Sequence, residues 1–231
     1  MSGTQNPWGL KTRNTINLKE SAFITAAFKG ANRVLDAGGG TGFYIHEALK
    51  ERQVSIVVFD QDQQLLDYGK QQFPNSTFVQ GSYYEMPFQD DSFDGVLIRA
   101  NLLYFSDKSA YLKEVARVLR PGGALVIVDR NKLDLTTVLA RIIGAKQDPF
   151  EQPKDFMSFG QLRSYLMKSG FDVEDELGLM LSIPKPQALR SLFTSDRVSS
   201  RVIRRFAAGG VLKYLSRWML VYASAKKYDS A

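Results

Sequence analysis

Cysteine is absent from the 231 residues, which excludes disulfides, thiolate nucleophiles and cysteine-bound metals. Histidine is nearly absent: His46 stands alone, too few for a histidine-built metal centre, so no metal is expected. No apolar run approaches the ~20 residues that cross a bilayer. Met1 to Leu10 is polar, contains Pro7 and lacks the apolar stretch of a signal peptide. A soluble, cytoplasmic protein is therefore the expectation. Paired acids with a defined partner are also missing, so no ready-made general base stands out. One of the two tryptophans, Trp8, lies in a polar arm over 1–16, where it either covers a ligand or docks the terminus on the core.

What the chain does have begins at Arg33. Arg-Val-Leu-Asp-Ala-Gly-Gly-Gly-Thr-Gly reads as a strand that stops at Asp36, turns through Gly38, Gly40 and Gly42, and opens a helix over Phe43 to Leu49. Glycines without Cβ let a ligand lie against the backbone, and the first amides of the helix point toward it. The acid two residues before the first glycine suits a ligand with an ammonium group, whereas a dinucleotide turn would read G-x-G-x-x-G. Val54 to Phe59 is a second, continuously apolar strand ending at Asp60, 18 residues after Gly42, near the spacing at which a carboxylate reaches ribose hydroxyls. Asp62 can cap the helix that follows, which would leave Asp60 for a ligand. Leu18 to Phe28 predicts a helix with Ala22, Phe23, Ala26 and Ala27 on one face. His46 is either catalytic or, with no partner nearby in sequence, a partly exposed helix residue.

Downstream, Thr77 to Gln80 predicts a third strand, followed by Gly81-Ser82-Tyr83-Tyr84-Glu85-Met86-Pro87-Phe88. Phe93 to Ile98 is a fourth strand within Ser-Phe-Asp-Gly-Val, and Ser109 to Leu119 a helix facing inward with Ala110, Leu112, Val115, Ala116 and Leu119. Leu-Arg-Pro-Gly-Gly then leads into a fifth strand, Ala124 to Val128. In order and spacing, residues 33 to 128 resemble the class I S-adenosylmethionine-dependent methyltransferases, of the small-molecule "type 11"-like branch. The resemblance implies a Rossmann-like α/β fold, a doubly wound, seven-stranded and mostly parallel sheet with helical lid insertions. It implies S-adenosyl-L-methionine as cofactor and S-adenosyl-L-homocysteine as product. It places Asp36, Gly38, Gly40, Asp60, Gln61, Ser82, Tyr83 and Arg99 at the cofactor, and Tyr104 beside the acceptor as a candidate catalytic residue. Ser82 departs from the pattern, standing where the family usually has an acid on the adenine amino group. Either Ser82 or the Tyr83 amide then holds adenine, or the base stacks on an aromatic ring. Arg99 is open to two readings, a contact to a carboxylate of the methionine tail or of an acidic substrate, or a structural ion pair. Tyr104 is equally open between substrate contact and packing.

The second half fits less closely. A single domain over 1–231 is expected, with a core of 17–128, 159–183 and 218–226 and helical inserts at 130–157 and 184–217. Val173 to Ile183 and Trp218 to Ala225 would be the sixth and seventh strands, the last antiparallel. Leu133 to Gly144 predicts an apolar-faced helix over the substrate. The second insert holds eight basic residues and one acid, a net +7 against +6 for the whole chain. Such a segment can lie on an anionic membrane, bind nucleic acid, or be a solvated face of a helical cap. Oligomeric state is not written in the sequence. A small hydrophobic or aromatic acceptor that ionises easily fits the missing base, with Tyr44, Tyr83 or Tyr104 as local proton acceptors. An RNA or protein acceptor is disfavoured, since Arg-Ala-Asn-Leu replaces the Asn/Asp-Pro-Pro-aromatic motif after strand four. A non-catalytic cofactor-binding module is the remaining alternative.

Overall fold

A computed structural model describes residues 18–134, 138, 155–179, 214 and 218–226. The arm with Trp8, the body of the expected helix over Leu133 to Gly144 and nearly all of the basic 184–217 segment lie outside these residues. The described elements are α1 (Leu18–Ala27), β1 (Arg33–Ala37), α2 (Phe43–Leu49), β2 (Ser55–Asp60), α3 (Gln63–Gln72), β3 (Thr77–Gln80), β4 (Phe93–Arg99), α4 (Lys108–Val118), β5 (Leu119–Arg130), α5 (Phe159–Lys168), β6 (Phe171–Leu179) and β7 (Trp218–Ala225), with a 3-10 turn at Leu102–Tyr104.

The seven strands form one sheet in the order β3-β2-β1-β4-β5-β7-β6. Pairings among the first five are parallel, and β7 runs antiparallel to both β5 and β6. Alternation along the strands divides the core. Leu35, Phe59, Val96, Ile98, Leu125 and Ile127 face α4 and α5, while Val34, Val58, Leu97, Val126 and Val128 face α1 and α2. Both faces are covered, which is why these strands read as unbroken apolar runs. Each fully buried Leu, Val or Phe contributes roughly 1.5–3 kcal/mol. The chain doubles back between β1 and β4, so their carboxyl ends open a crevice where an α/β sheet binds ligands.

Several boundaries differ from expectation for local reasons. In α1 the inward residues are Glu20 and Ile24, continued by Phe28, at spacings of four, while Ala22 and Ala26 are exposed. The large side chains and an ion pair, described below, choose the face over the small alanines. The helix α4 starts at Lys108, capped by Asp107, and adds Tyr111 and Val118 to its buried face, with Ala116 partly buried against the core. Strand β5 begins at Leu119, which pairs with Phe93. Gly95 pairs with Ala124, so Arg120 to Gly123 loop out of register, with Gly122 at φ 75°. The acid of Ser-Phe-Asp explains itself here: Asp94 accepts from the Asn32 and Arg33 amides at 2.7 and 2.9 Å and pairs with Arg120, tying the start of β1 to this loop. Strand β6 begins at Phe171, two residues before the expected start, and is described as far as Leu179.

Candidate active site

Three strands carry an aspartate at or one residue before their carboxyl end: Val-Leu-Asp36, Val-Phe-Asp60 and Ile-Val-Asp129. The first two flank the glycine turn. Asp36 is 2% exposed and accepts no hydrogen bond from the described residues. Its carboxylate lies under Gly39, where a Cβ would overlap it. Gly38, at φ 83°, is covered by the Asn101 side chain, so it too tolerates no Cβ. Burial first, and the Asp60 charge second, raise the Asp36 pKa from 3.8 to about 7 against the pull of Arg99.

Asp60 is less free than its neighbour Asp62 suggested. Asp62 does cap α3, accepting from Gln64 and Leu65 amides. Yet Asp60 also accepts from two amides, Gly40 at 2.9 Å and Asp62 at 3.0 Å. A carboxylate has about four acceptor positions, so capacity for ribose hydroxyls remains. The other turn amides are engaged within the protein: Gly38 and Gly39 donate to Phe59 O, and Gly42 to Gly39 O. Gly40, at φ 54°, is the open member; a Cβ there would meet only Leu65, at 3.3 Å, and Asp60, at 4.0 Å.

His46 has partners that sequence distance concealed. Its Nδ1–H donates to Gly42 O at 2.6 Å, its Nε2 accepts from Ser76 at 2.7 Å, and its ring stacks on Phe73 at 3.8 Å. Burial lowers its pKa, so the ring is a neutral brace for the turn. Gln61 is exposed beside Asp60, and its carbonyl accepts from Gln80 at 3.0 Å. Ser82 is exposed, its Oγ accepting from the Tyr84 amide at 3.3 Å. Tyr83 is 4% exposed, packed edge-on against Phe59, Phe105 and Tyr111 at 4.8–5.4 Å. A ring so enclosed offers no open face to a base, and burial raises its pKa, which makes it a poor proton acceptor. This corrects its expected role as a local base, removes its ring as a candidate for the stacking aromatic, and leaves its amide.

Arg99 donates to Glu20 at 2.6 Å and lies 3.5 Å from the Tyr44 ring centre. The ion-pair reading of Arg99 therefore describes the contacts present, while its charge still reaches Asp36. Tyr104 is 65% exposed on the turn after β4, with Tyr84 exposed nearby against Phe105. Among the described residues no cluster of metal-binding side chains occurs.

Four polar residues at or near the crevice escaped the sequence reading. Asn101 donates to Ala37 O at 3.3 Å, and Tyr111, fully buried, donates to the same oxygen at 3.1 Å. Glu20 holds Arg99. Asp129 is 2% exposed, accepts from the Arg130 amide at 2.7 Å, and is raised to about 7, chiefly by burial. The repeated strand-ending aspartate was a signal for Asp129; nothing local marked the other three. Ala100, at φ 50°, is strained where β4 delivers Asn101 and Tyr104 to the crevice.

A doubly wound sheet with this strand order, an acid before the glycine turn and a second acid ending β2 match the pattern of the class I S-adenosylmethionine-dependent methyltransferases. The family model "Methyltransferase domain" matches residues 35–127 of this chain. Similar curated proteins include an uncharacterized methyltransferase of Mycobacterium tuberculosis, 38% identical over 52% of this chain and 49% of the relative. A demethylmenaquinone methyltransferase of Beutenbergia cavernae is 34% identical over 64% of this chain and 61% of its own. The chain thus spans about half to three-fifths of these relatives. A solved S-adenosylmethionine-dependent methyltransferase of Thermotoga maritima, described as a possible histamine N-methyltransferase, aligns over 90% of this chain and 89% of its own, with TM-score 0.66 and 16% identity, a likeness of fold.

Proposed function

We propose that this protein transfers a methyl group from S-adenosyl-L-methionine to a small hydrophobic or aromatic acceptor, of the phenol or hydroquinone type, releasing S-adenosyl-L-homocysteine. One observation carries the reading: a buried carboxylate without a hydrogen-bond partner among the described residues, beside a second acid and the open Gly40, at the sheet's switch point. That donor set fits the cofactor, whose tail carries an ammonium group and whose sugar carries two hydroxyls. When bound, the cofactor supplies an electrophilic methyl on a sulfonium.

The chain's own residues then hold and orient. Asp36 meets the ammonium, Asp60 takes the ribose hydroxyls, and Gly40 lets the nucleoside approach the backbone, while Gly38 makes room for the Asn101 side chain beside it. Gln61, Ser82 and the Tyr83 amide form the adenine side. Arg99, held by Glu20, balances charge near the tail. Holding two reactants in line and excluding water can supply up to about 7–11 kcal/mol of the barrier. Tyr104, exposed on the turn after β4, would hydrogen-bond the acceptor's oxygen and orient it for attack. The quinone-type acceptor is supported by the Beutenbergia relative's name and by the exposed rings of Tyr84 and Tyr104. The basic 184–217 segment would bring the enzyme to an anionic membrane, where such acceptors reside.

Radiolabelled methyl transfer decides the matter. Label should pass to a demethylated naphthohydroquinone and not to RNA or protein; label entering RNA or protein alone would reject the reading. Tyr104→Phe should lower turnover about 100-fold while S-adenosyl-L-homocysteine affinity stays near wild type.

A further inference from the structure

The acid cluster at the glycine turn is short of positive charge. Three carboxylates face one guanidinium among the described residues: Asp36 from β1, Asp60 from β2 and Glu20 from α1, with Arg99 from β4. Arg99 is committed to Glu20 at 2.6 Å. Asp60 is steadied by two amides. Among the described residues Asp36 has neither kind of partner and is 2% exposed, and the Tyr111 phenol and Asn101 amide donate to the neighbouring Ala37 O. A buried carboxylate beside another is most cheaply kept neutral until a cation arrives.

We propose that the empty site holds Asp36 protonated and that the ammonium group of the bound nucleoside expels this proton to solvent. This rests on the cofactor reading above and adds to it a selection rule: Asp36 admits nucleosides by their cationic amino-acid tail, with an affinity gated by pH. The balance is simple. The O–H bond of the Asp36 carboxyl breaks, the proton goes to buffer, and the carboxylate pairs with the ammonium. The placement of Asp36 near pH 7 sets the range in which this happens. Asp129, buried to the same degree, lies on the α4 face of β5 within the field of Lys108 and takes no part.

Calorimetry of the full chain with S-adenosyl-L-homocysteine, in buffers of different ionisation enthalpy, measures the proton directly. Near pH 6 close to one proton should be released per ligand, and near pH 8.5 almost none. Affinity should rise by up to about tenfold per pH unit below 7 and level off above it. 5′-Methylthioadenosine, with the same base and ribose but no amino-acid tail, should bind without releasing a proton and with affinity indifferent to pH. Asp36→Asn should abolish both proton release and pH dependence. Buffer-independent heats for the homocysteine ligand near pH 6, or equal proton release with the tail-less nucleoside, would overturn the proposal. If neither nucleoside binds, the cofactor reading itself falls, and the selection rule with it. The comparison of the two nucleosides on the wild-type chain decides the question even where Asp36→Asn does not fold.

Discussion

Asp36 and Gly39 act as one unit, because the carboxylate occupies the space a Cβ at 39 would need. Gly39→Ala should displace the carboxylate, cost about 1–3 kcal/mol of stability and remove most nucleoside affinity, as read by urea denaturation and calorimetry. Asp60→Ala tests the neighbouring carboxylate differently. It leaves the Gly40 amide without its 2.9 Å acceptor and removes the ribose partner, so affinity should fall by at least tenfold, a charged hydrogen bond being worth roughly 1.5–3 kcal/mol. At this scale Asp36 and Asp60 were legible because each closes an apolar run. His46 was not legible: its partners Phe73 and Ser76 sit beyond α2 and β2 in the chain, at a distance no local pattern records.

Elements hold the site through their ends and edges. The Gly81 to Phe88 segment, proposed for the adenine side, is tied to β2 at its start, where the Gly81 amide donates to Asp60 O at 3.2 Å, and to α4 further on. Arg117 donates to Met86 O at 3.0 Å and Phe88 O at 2.8 Å, and Glu114 accepts from the Met86 amide at 2.9 Å. Arg117→Ala should therefore weaken S-adenosyl-L-homocysteine binding several-fold while costing about 1–2 kcal/mol of stability. Asp62→Ala is the contrasting case. Loss of the α3 cap should cost about 1 kcal/mol with little change in affinity, since its carboxylate serves Gln64 and Leu65 amides. Helix and strand positions were readable from periodicity, but faces were misjudged where a charged residue is buried. Glu20 in α1 and Lys108 in α4 point inward, the latter donating to Phe105 O at 2.6 Å and pairing with Asp155 at 3.5 Å. Period counting assigns such residues to solvent.

Across the whole molecule, two buried aspartates tie stability to pH. Asp36 and Asp129 titrate near 3.8 in the unfolded chain and at about 7 in the folded one. Between those values the folded protein keeps protons that the unfolded chain has lost. Their contribution is full below about pH 4 and declines as pH rises to about 7. His46, whose pKa is lowered, works in the opposite sense, so a paired measurement is the clean one. The stability of Asp129→Asn relative to wild type should increase steadily from about pH 4 to 7, followed by chemical denaturation without ligand. A constant difference across that range would show that Asp129 is ionised throughout.

The order of elements, the glycine turn and the two acids beside it were determined by the sequence alone, because each depends on residues close together in the chain: alternation, caps, strand ends and turn chemistry. Tertiary structure alone decided which charges meet. The pairing of Glu20 with Arg99 across 79 positions and the convergence of Asn101 and Tyr111 on one carbonyl arise from the crossover that sets β4 beside β1. Burial and long-range contact fix those relations, and neither has a period that a linear sequence can display.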